Sequence, residues 1–471
     1  GAAGITLDAV ERRASILEQV QQAAALVGGE AIVDEALLAE VANLVEMPTA
    51  VMGAFNKDYL SLPQDVLISV MKKHQRYFPV RKGGKLLPHF IAVRNGDDLY
   101  IDIVRQGNEH VLGARFADAA FFVREDVKQP LEAYRPKLAT LIFQTKLGSM
   151  LDKSERIARL VEPVASMLGL DADEAVYARR AAYLAKADLA TQMVTEMTSL
   201  QGIIGREYAL RSGEHEQVAR AIGAQYETVP AGKAGLAVAL ADRIDSLVGL
   251  FAAGLAPTGA KDPFGLRRAA IGVVQPLIEH AVPFNLSEAV REAAGLQPVE
   301  VTPDVQDQVL DFIAGRLAVV LKERGSRYDV VDAVLAEQSK DPAGAAAGVQ
   351  QLQAWVERPD WSSILPAFAR CVRITRDQKE IFAVSEKAFV EKEEKALFTA
   401  LGKAERGRGA VGSVNDFLNA FLPMIPSVNA FFEKVLVMAE DAAVRTNRLG
   451  LLQRIAALAH GAADLSRLEG F

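Results

Sequence analysis

The residues best suited to chemistry in this chain are cations set beside aromatic rings. In the run MKKHQRYFPVRKGGK, 71–85, Lys72, Lys73, Arg76, Arg81, Lys82 and Lys85 stand without an acidic neighbour, and Tyr77 and Phe78 lie between them. Ammonium and guanidinium groups neutralise phosphates and aromatic faces stack on bases, so Lys72, Lys73, Arg76, Tyr77 and Arg81 form a candidate nucleic-acid contact. The same pattern equally suits a solvated hairpin whose rings pack into a core. His74 alone makes no metal site. Near the C-terminus, Lys434, Asp441, Arg445 and Arg448 fall at relative positions 0, 7, 11 and 14 and would form one stripe of a continuous helix. Phe432, Val435, Leu436, Ala439 and Leu449 would then face a core. RNA contact along that stripe competes with a plain ion pair between Asp441 and Arg445.

Two further segments offer carboxylates. Asp188 lies in AYLAKADLATQMVTEMTSLQG, and Asp242 and Asp245 lie in ALADRIDSLVG. Aspartates on separate helices could hold a divalent cation, but neither segment contains the histidine such phosphohydrolase sites use, so caps or ion pairs are the favoured reading. The loop PTGAKDPFGLRR, 257–268, lacks the spacing of a phosphate-cradling loop. It reads as a helix start, with Asp262 as N-cap and Pro263 at the first helical position, and with Arg267 and Arg268 as secondary RNA candidates.

The elements that must position these groups are mostly helical. Apolar residues recur at helical spacing from Asp8 to about Val45 with a break at Gly28-Gly29, whereas Arg76–Arg81 and Lys85–Val93 read as strands of a hairpin around Gly83-Gly84. Helical periodicity then dominates from about 125 to 255 and from 262 to 340. The segment DPAGAAAG, 341–348, is expected to turn between helices, and one strongly helical tail is expected from Phe431 to about His460.

The chain has 471 residues, of which 50% are hydrophobic and 24% charged, which suggests about three folded domains. A net charge of -7 gives no overall attraction to a polyanion, so any nucleic-acid site must be a local patch. Cys371 is the single cysteine, which excludes an internal disulfide and fits a cytoplasmic protein, and no run reaches the roughly 20 apolar residues of a membrane span. The opening GAAGITLDAVERR has neither an initiator methionine nor a signal-peptide pattern, so upstream sequence is expected.

The runs HQRYFPV, GNEHVLGARFADAAFF, FQTKLGSMLDKSERI, KADLATQMVTEMTSLQG, PTGAKDPFGLRRAA and MAEDAAVRTNRLGLL occur in this order. Together they resemble the bacterial glycyl-tRNA synthetase beta subunit family, over its C-terminal two-thirds and over nearly all of this chain from about 45 to 471. The resemblance implies a mainly α, multidomain protein: an α+β domain related to the B3/B4 module at 1–124, an HD-like helical domain at 125–260, a helical linker or body module at 261–365, and a helical anticodon-binding bundle at 366–471. The run around Arg445-Thr446-Asn447-Arg448-Leu449 resembles the family's anticodon-binding bundle, which raises Arg445 and Arg448 as tRNA-binding residues, with Asn447 and Lys434 as further candidates. The resemblance makes Asp188, Asp242 and Asp245 degenerate HD-like positions, because Ala187-Asp188 stands where the family of metallophosphohydrolases has His-Asp. The implied role is a tRNA-binding subunit with no catalytic residue, metal or cofactor of its own. Glycine activation, with ATP and magnesium, would belong to a separate alpha subunit in an alpha2beta2 cytoplasmic assembly that charges tRNA(Gly). An active HD-type phosphohydrolase and a purely structural scaffold are the rival readings.

Overall fold

The computed structural model describes residues 5–471, which fold into two compact units. One comprises residues up to 143 with 149–154 and 180–223; the other comprises 144–148, 155–179 and 224–471. The expected division at 124 falls inside a helix, and the segment 125–260 contributes to both units. Among the described residues, no helix is long and apolar enough to cross a membrane.

The first unit opens with α1 (Ala9–Leu26), β1 (Glu30–Ala31), α2 (Glu35–Leu44) and β2 (Pro48–Ala54), followed by α3 (Gln64–Ser69), β3 (Phe78–Lys82), β4 (Lys85–Asn95) and α4 (Ile101–Asp126). The strands pair antiparallel in the order β1-β3-β4-β2. Asp8 and Asp34 cap α1 and α2, each accepting two amides of the first turn, which explains where these helices begin. The hairpin expected around Gly83-Gly84 is present: Lys82 pairs with Lys85, and both glycines have positive φ, 56° and 78°, as a two-residue turn of this kind requires. Pro79 cannot donate to the ladder, and the register shifts between Pro79 and Arg81. Ile16, Val20, Leu37, Leu38 and Val41 of the two helices pack on Phe78, Val80 and Ile91 of the sheet.

Helices α5 (Met150–Met167), α6 (Ala172–Leu184), α7 (Gln192–Glu196), α8 (Ile203–Arg211) and α9 (Glu216–Ala224) follow. Asp126, at the end of α4 and buried, ties part of this region together within the first unit. Its carboxylate accepts the Gln192 and Met193 amides at 2.9 and 3.0 Å and the Tyr208 hydroxyl at 3.1 Å. Burial, reinforced by that negative charge, pushes the Tyr208 phenol well above its ordinary range.

In the second unit, α10 (Lys233–Ala252) is buried on nearly every side and packs against α11 (Leu266–Glu279), α12 (Leu286–Ala294) and α13 (Pro303–Glu323). Helices α14 (Tyr328–Gln338), α15 (Pro342–Val356) and α16 (Trp361–Thr375) lead to α17 (Lys392–Gly407), α18 (Val414–Phe421), α19 (Ile425–Lys434) and α20 (Ala442–Ala456). The division expected at 365 therefore lies within α16.

Three sequence expectations change here. DPAGAAAG is the first half of α15, not a turn: Asp341 occupies the N-cap position, Pro342 the first turn, and the alanines propagate the helix. Gly348 permits close packing on α14, since a Cβ there would lie 2.9 Å from Gln338 Nε2 and 3.1 Å from Val334 Cγ1. The helix after PTGAKDPFG starts at Leu266 behind Gly265, with Pro263 outside it; Asp262 still caps it by accepting the Leu266 and Arg267 amides at 2.8 and 2.9 Å. The tail is two helices, α19 and α20, with the loop 435–441 between them.

Gly53 of β2 lies opposite Phe90 of β4, and a Cβ built on it would approach the Phe90 ring to 2.3 Å. Because that ring is buried and stacked on Tyr77 at 4.7 Å, it has no free direction of retreat. Gly53→Ala is expected to destabilise the first unit by about 1–3 kcal/mol, read as a lower thermal midpoint.

Candidate nucleic-acid interface

In the first unit three of the six cations of the basic run are paired with acids of the same unit. Lys72 Nζ meets Asp34 Oδ2 at 2.6 Å, Arg76 Nε meets Glu40 Oε1 at 2.6 Å, and Arg81 Nε meets Glu30 Oε1 at 3.0 Å. The Lys72 ammonium, helped by the amides that Asp34 caps, holds the Asp34 carboxyl below its usual range. Tyr77 is buried and stacked on Phe90, so it is a core ring and offers no face to a base. Lys73 is exposed. The hairpin reading thus describes Lys72, Arg76, Tyr77 and Arg81 better than the RNA-contact reading. The deciding acids, Glu30, Asp34 and Glu40, come from β1, the residue before α2 and α2 itself, remote in sequence.

Asp188 and Asp245 occupy buried, hydrogen-bonded positions. Asp188 is buried in a short 3-10 turn, where Oδ2 accepts the Gly202 amide at 2.5 Å, and burial pushes its carboxyl above the ordinary range. In the second unit, Asp245 is equally buried and holds Arg156 at 2.6 Å, while Gln297 Nε2 donates to it at 3.0 Å. Asp242 precedes it on α10 and accepts the Ser246 hydroxyl through its backbone carbonyl at 2.8 Å. Among the described residues, no group of three or more His, Cys, Asp or Glu side chains could hold a metal ion.

The C-terminal helices of the second unit rearrange the expected stripe. Lys434 ends α19 and is exposed, so it shares no helix with Arg445 and Arg448. Asp441 is the N-cap of α20, accepting the Ala443 and Val444 amides at 2.8 and 3.1 Å. Arg445 turns back on the chain and donates to the Ala439 carbonyl at 2.8 Å. Of the residues expected to face a core, Val435 and Leu449 are buried, whereas Leu436 is 71% exposed.

Arg448 is buried beside a fully buried Glu394 of α17, with Nε 2.7 Å from Oε1. The other oxygen of Glu394 accepts the Val390 and Glu391 amides at 2.7 and 2.5 Å, as the second half of a capping box at the start of α17. Arg448 Nη1 donates to the Leu436 carbonyl at 2.8 Å. One ion pair thereby fixes α20, the start of α17 and the loop after α19.

A strap of non-helical chain, residues 377–391 apart from one 3-10 turn, lies along α20 and is tied by two side-chain amides. Asn447 accepts the Ser385 amide at 2.7 Å and donates to the Ser385 carbonyl at 3.2 Å; Gln453 accepts the Phe382 amide at 3.0 Å and donates to the Glu380 carbonyl at 2.7 Å. Gly450 lies between them, where a Cβ would come within 2.6 Å of the Phe382 carbonyl oxygen, so the strap's approach requires glycine. Asn447 and Arg448 are therefore positioning residues and not exposed RNA contacts. Glu394 and Gln453 escaped the sequence reading, because Glu391 is not among the Ser, Thr, Asp and Asn residues that mark a capping box in sequence.

Comparison with known proteins adds to this geometry. The family profile described as glycyl-tRNA synthetase beta subunit matches residues 1–336, and that of the DALR anticodon binding domain matches residues 364–465. The chain is 42% identical over 480 residues to the glycine–tRNA ligase beta subunit of Desulforudis audaxviator, covering 98% of this chain and 69% of the relative. It is 40% identical over 475 residues to that of Clostridioides difficile, with the same coverages. To the Arabidopsis thaliana protein named glycine–tRNA ligase, chloroplastic/mitochondrial 2, it is 39% identical over 478 residues, covering 99% of this chain and 45% of the relative.

Removing Arg448 strands a buried carboxylate. Arg448→Met is expected to cost about 3–5 kcal/mol of stability and to speed amide exchange in the strap 380–391, whereas Lys434→Met at the exposed end of α19 should change stability by less than about 0.5 kcal/mol. Chemical denaturation with hydrogen-exchange mass spectrometry checks both.

Proposed function

This chain belongs to the family of glycyl-tRNA synthetase beta subunits, components of an aminoacyl-tRNA ligase, and from that premise we propose that it grips tRNA(Gly), including the anticodon loop, and holds it for glycylation by a separate alpha subunit. The observation that carries this reading is the combination, in one chain, of a synthetase beta-subunit match over 1–336 and an anticodon-binding match over 364–465. The second region is an ordered helical framework with exposed cations, among them Lys392, Lys395, Lys403, Arg406 and Lys434. On a chain of net charge -7, such local concentration is what phosphate binding needs.

In this reading the chain contributes no reacting group. Catalysis gains from the restriction of tRNA motion relative to the activated amino acid, and ATP and magnesium are bound by the alpha subunit in a cytoplasmic alpha2beta2 assembly. Lys434 and Lys73, both exposed, are assigned to phosphate contact; Arg445 shapes the approach to α20, and Asn447 and Arg448 act through the strap and the buried ion pair.

Binding of the full chain to a glycine-tRNA transcript across a salt series tests the proposal. Affinity should fall linearly with salt on logarithmic axes, and Lys434→Ala should reduce that slope by about 0.7–0.9. Glycylation reconstituted from separately purified alpha subunit should require this chain. Charging by alpha alone at the full rate, or indifference of the chain to tRNA, would overturn the reading.

A further inference from the structure

We propose that the cavity between α17 and the strap receives a single cytosine of the tRNA anticodon, with Glu386, Lys395 and Arg406 reading its edge. The inference rests on the tRNA-binding reading above and adds to it a base-reading site. Lys395, Phe398, Thr399, Gly402 and Arg406 recur at i, i+3, i+4, i+7 and i+11, so α17 presents them along one stripe. Stripes with this spacing ordinarily bury apolar residues against a core. Here the stripe mixes an aromatic ring with two cations, and together with Glu386 and Phe389 of the strap it lines a cavity of about 310 Å³. That volume is at the small end for ligand sites and suits one base.

The walls are held in place. Phe389 is buried and lies against Phe398, with ring centroids 5.3 Å apart at 59°. Arg454 sits over the Phe398 ring at 5.4 Å and is itself clamped by both carboxylate oxygens of Glu405, at 3.0 and 2.6 Å. Glu386 follows directly on Ser385, whose amide and carbonyl are both tied to Asn447. At Gly402 the wall is bare, and a Cβ there would meet only Arg406 Nη1, at 3.5 Å.

The polar groups select among bases. Lys395 and Arg406 only donate hydrogen bonds, and ionised Glu386 only accepts them. Cytosine presents two acceptors, O2 and N3, next to one donor, the N4 amino group, which complements two cations and one carboxylate. Uracil replaces the N4 donor with the O4 acceptor, which would face Glu386, and turns N3 into a donor facing a cation. Adenine offers a single acceptor beside its amino group on the same edge, and guanine's edge is mainly donors. Glycine codons all begin with two guanines, so glycine tRNAs share cytosine at the second and third anticodon positions.

Binding of the full chain to glycine-tRNA transcripts with each anticodon cytosine changed in turn to uracil tests the assignment. The unchanged chain should lose affinity about tenfold or more at one of these positions. Glu386→Gln, an exposed substitution whose amide can donate to uracil O4, should reduce that preference about tenfold while the other position stays as sensitive as before. Gly402→Leu, which fills the cavity, should weaken binding of the unchanged transcript about tenfold and make the chain indifferent at the same position. If Glu386→Gln, folded as judged by an unchanged thermal midpoint, retains the original affinity and preference while the chain still binds tRNA, the cavity assignment is overturned and the broader reading stands. If the unchanged chain binds no glycine tRNA, both fail together.

Discussion

The C-terminal helices depend on one buried charge pair. Glu394 is wholly removed from water, and its two oxygens take Arg448 and two backbone amides, so the carboxylate is fully compensated where an isolated one could not exist. Because the donors come from α20 and from the chain entering α17, and because Arg448 also holds the Leu436 carbonyl, neither helix can shift without leaving a charge unpaired. This pair sets the frame in which Asn447 and Gln453 lay the strap along α20. The strap in turn brings Glu386 and Phe389 to the face of α17.

Charge elsewhere follows the same logic of local compensation. Three cations of the basic run, Lys72, Arg76 and Arg81, meet acids on the neighbouring strand and helix, so about half of its charge is compensated inside the first unit. On α17, several cations remain at the surface in the region that matches an anticodon-binding domain. For a chain of net negative charge, this contrast separates cations that stabilise a fold from cations free to meet a polyanion.

Much of the architecture is legible in local sequence pattern. The 3.6-residue periodicity identifies a mainly helical protein, and the two glycines between β-rich runs locate the hairpin, because a two-residue turn with positive φ at both positions almost demands them. Less legible are features decided between segments. DPAGAAAG looks like a linker by its small residues, yet those residues let α15 pack closely on α14. The tail looks like one helix because periodicity continues across 435–441, and only the capping role of Asp441 shows where α20 begins.

The family, the helical class, the hairpin and the residue types available for gripping RNA are legible in the order of residues, because these reside in local pattern and in long ordered motifs. Which of those residues face solvent is set by long-range packing. Arg448 and Tyr77 carry the chemistry of RNA contact in their side chains, but partners 54 residues away in one case and an aromatic ring on the adjacent strand in the other draw them into the interior. Burial depends on what the folded chain brings alongside a residue, and spacing along one helix cannot reveal it.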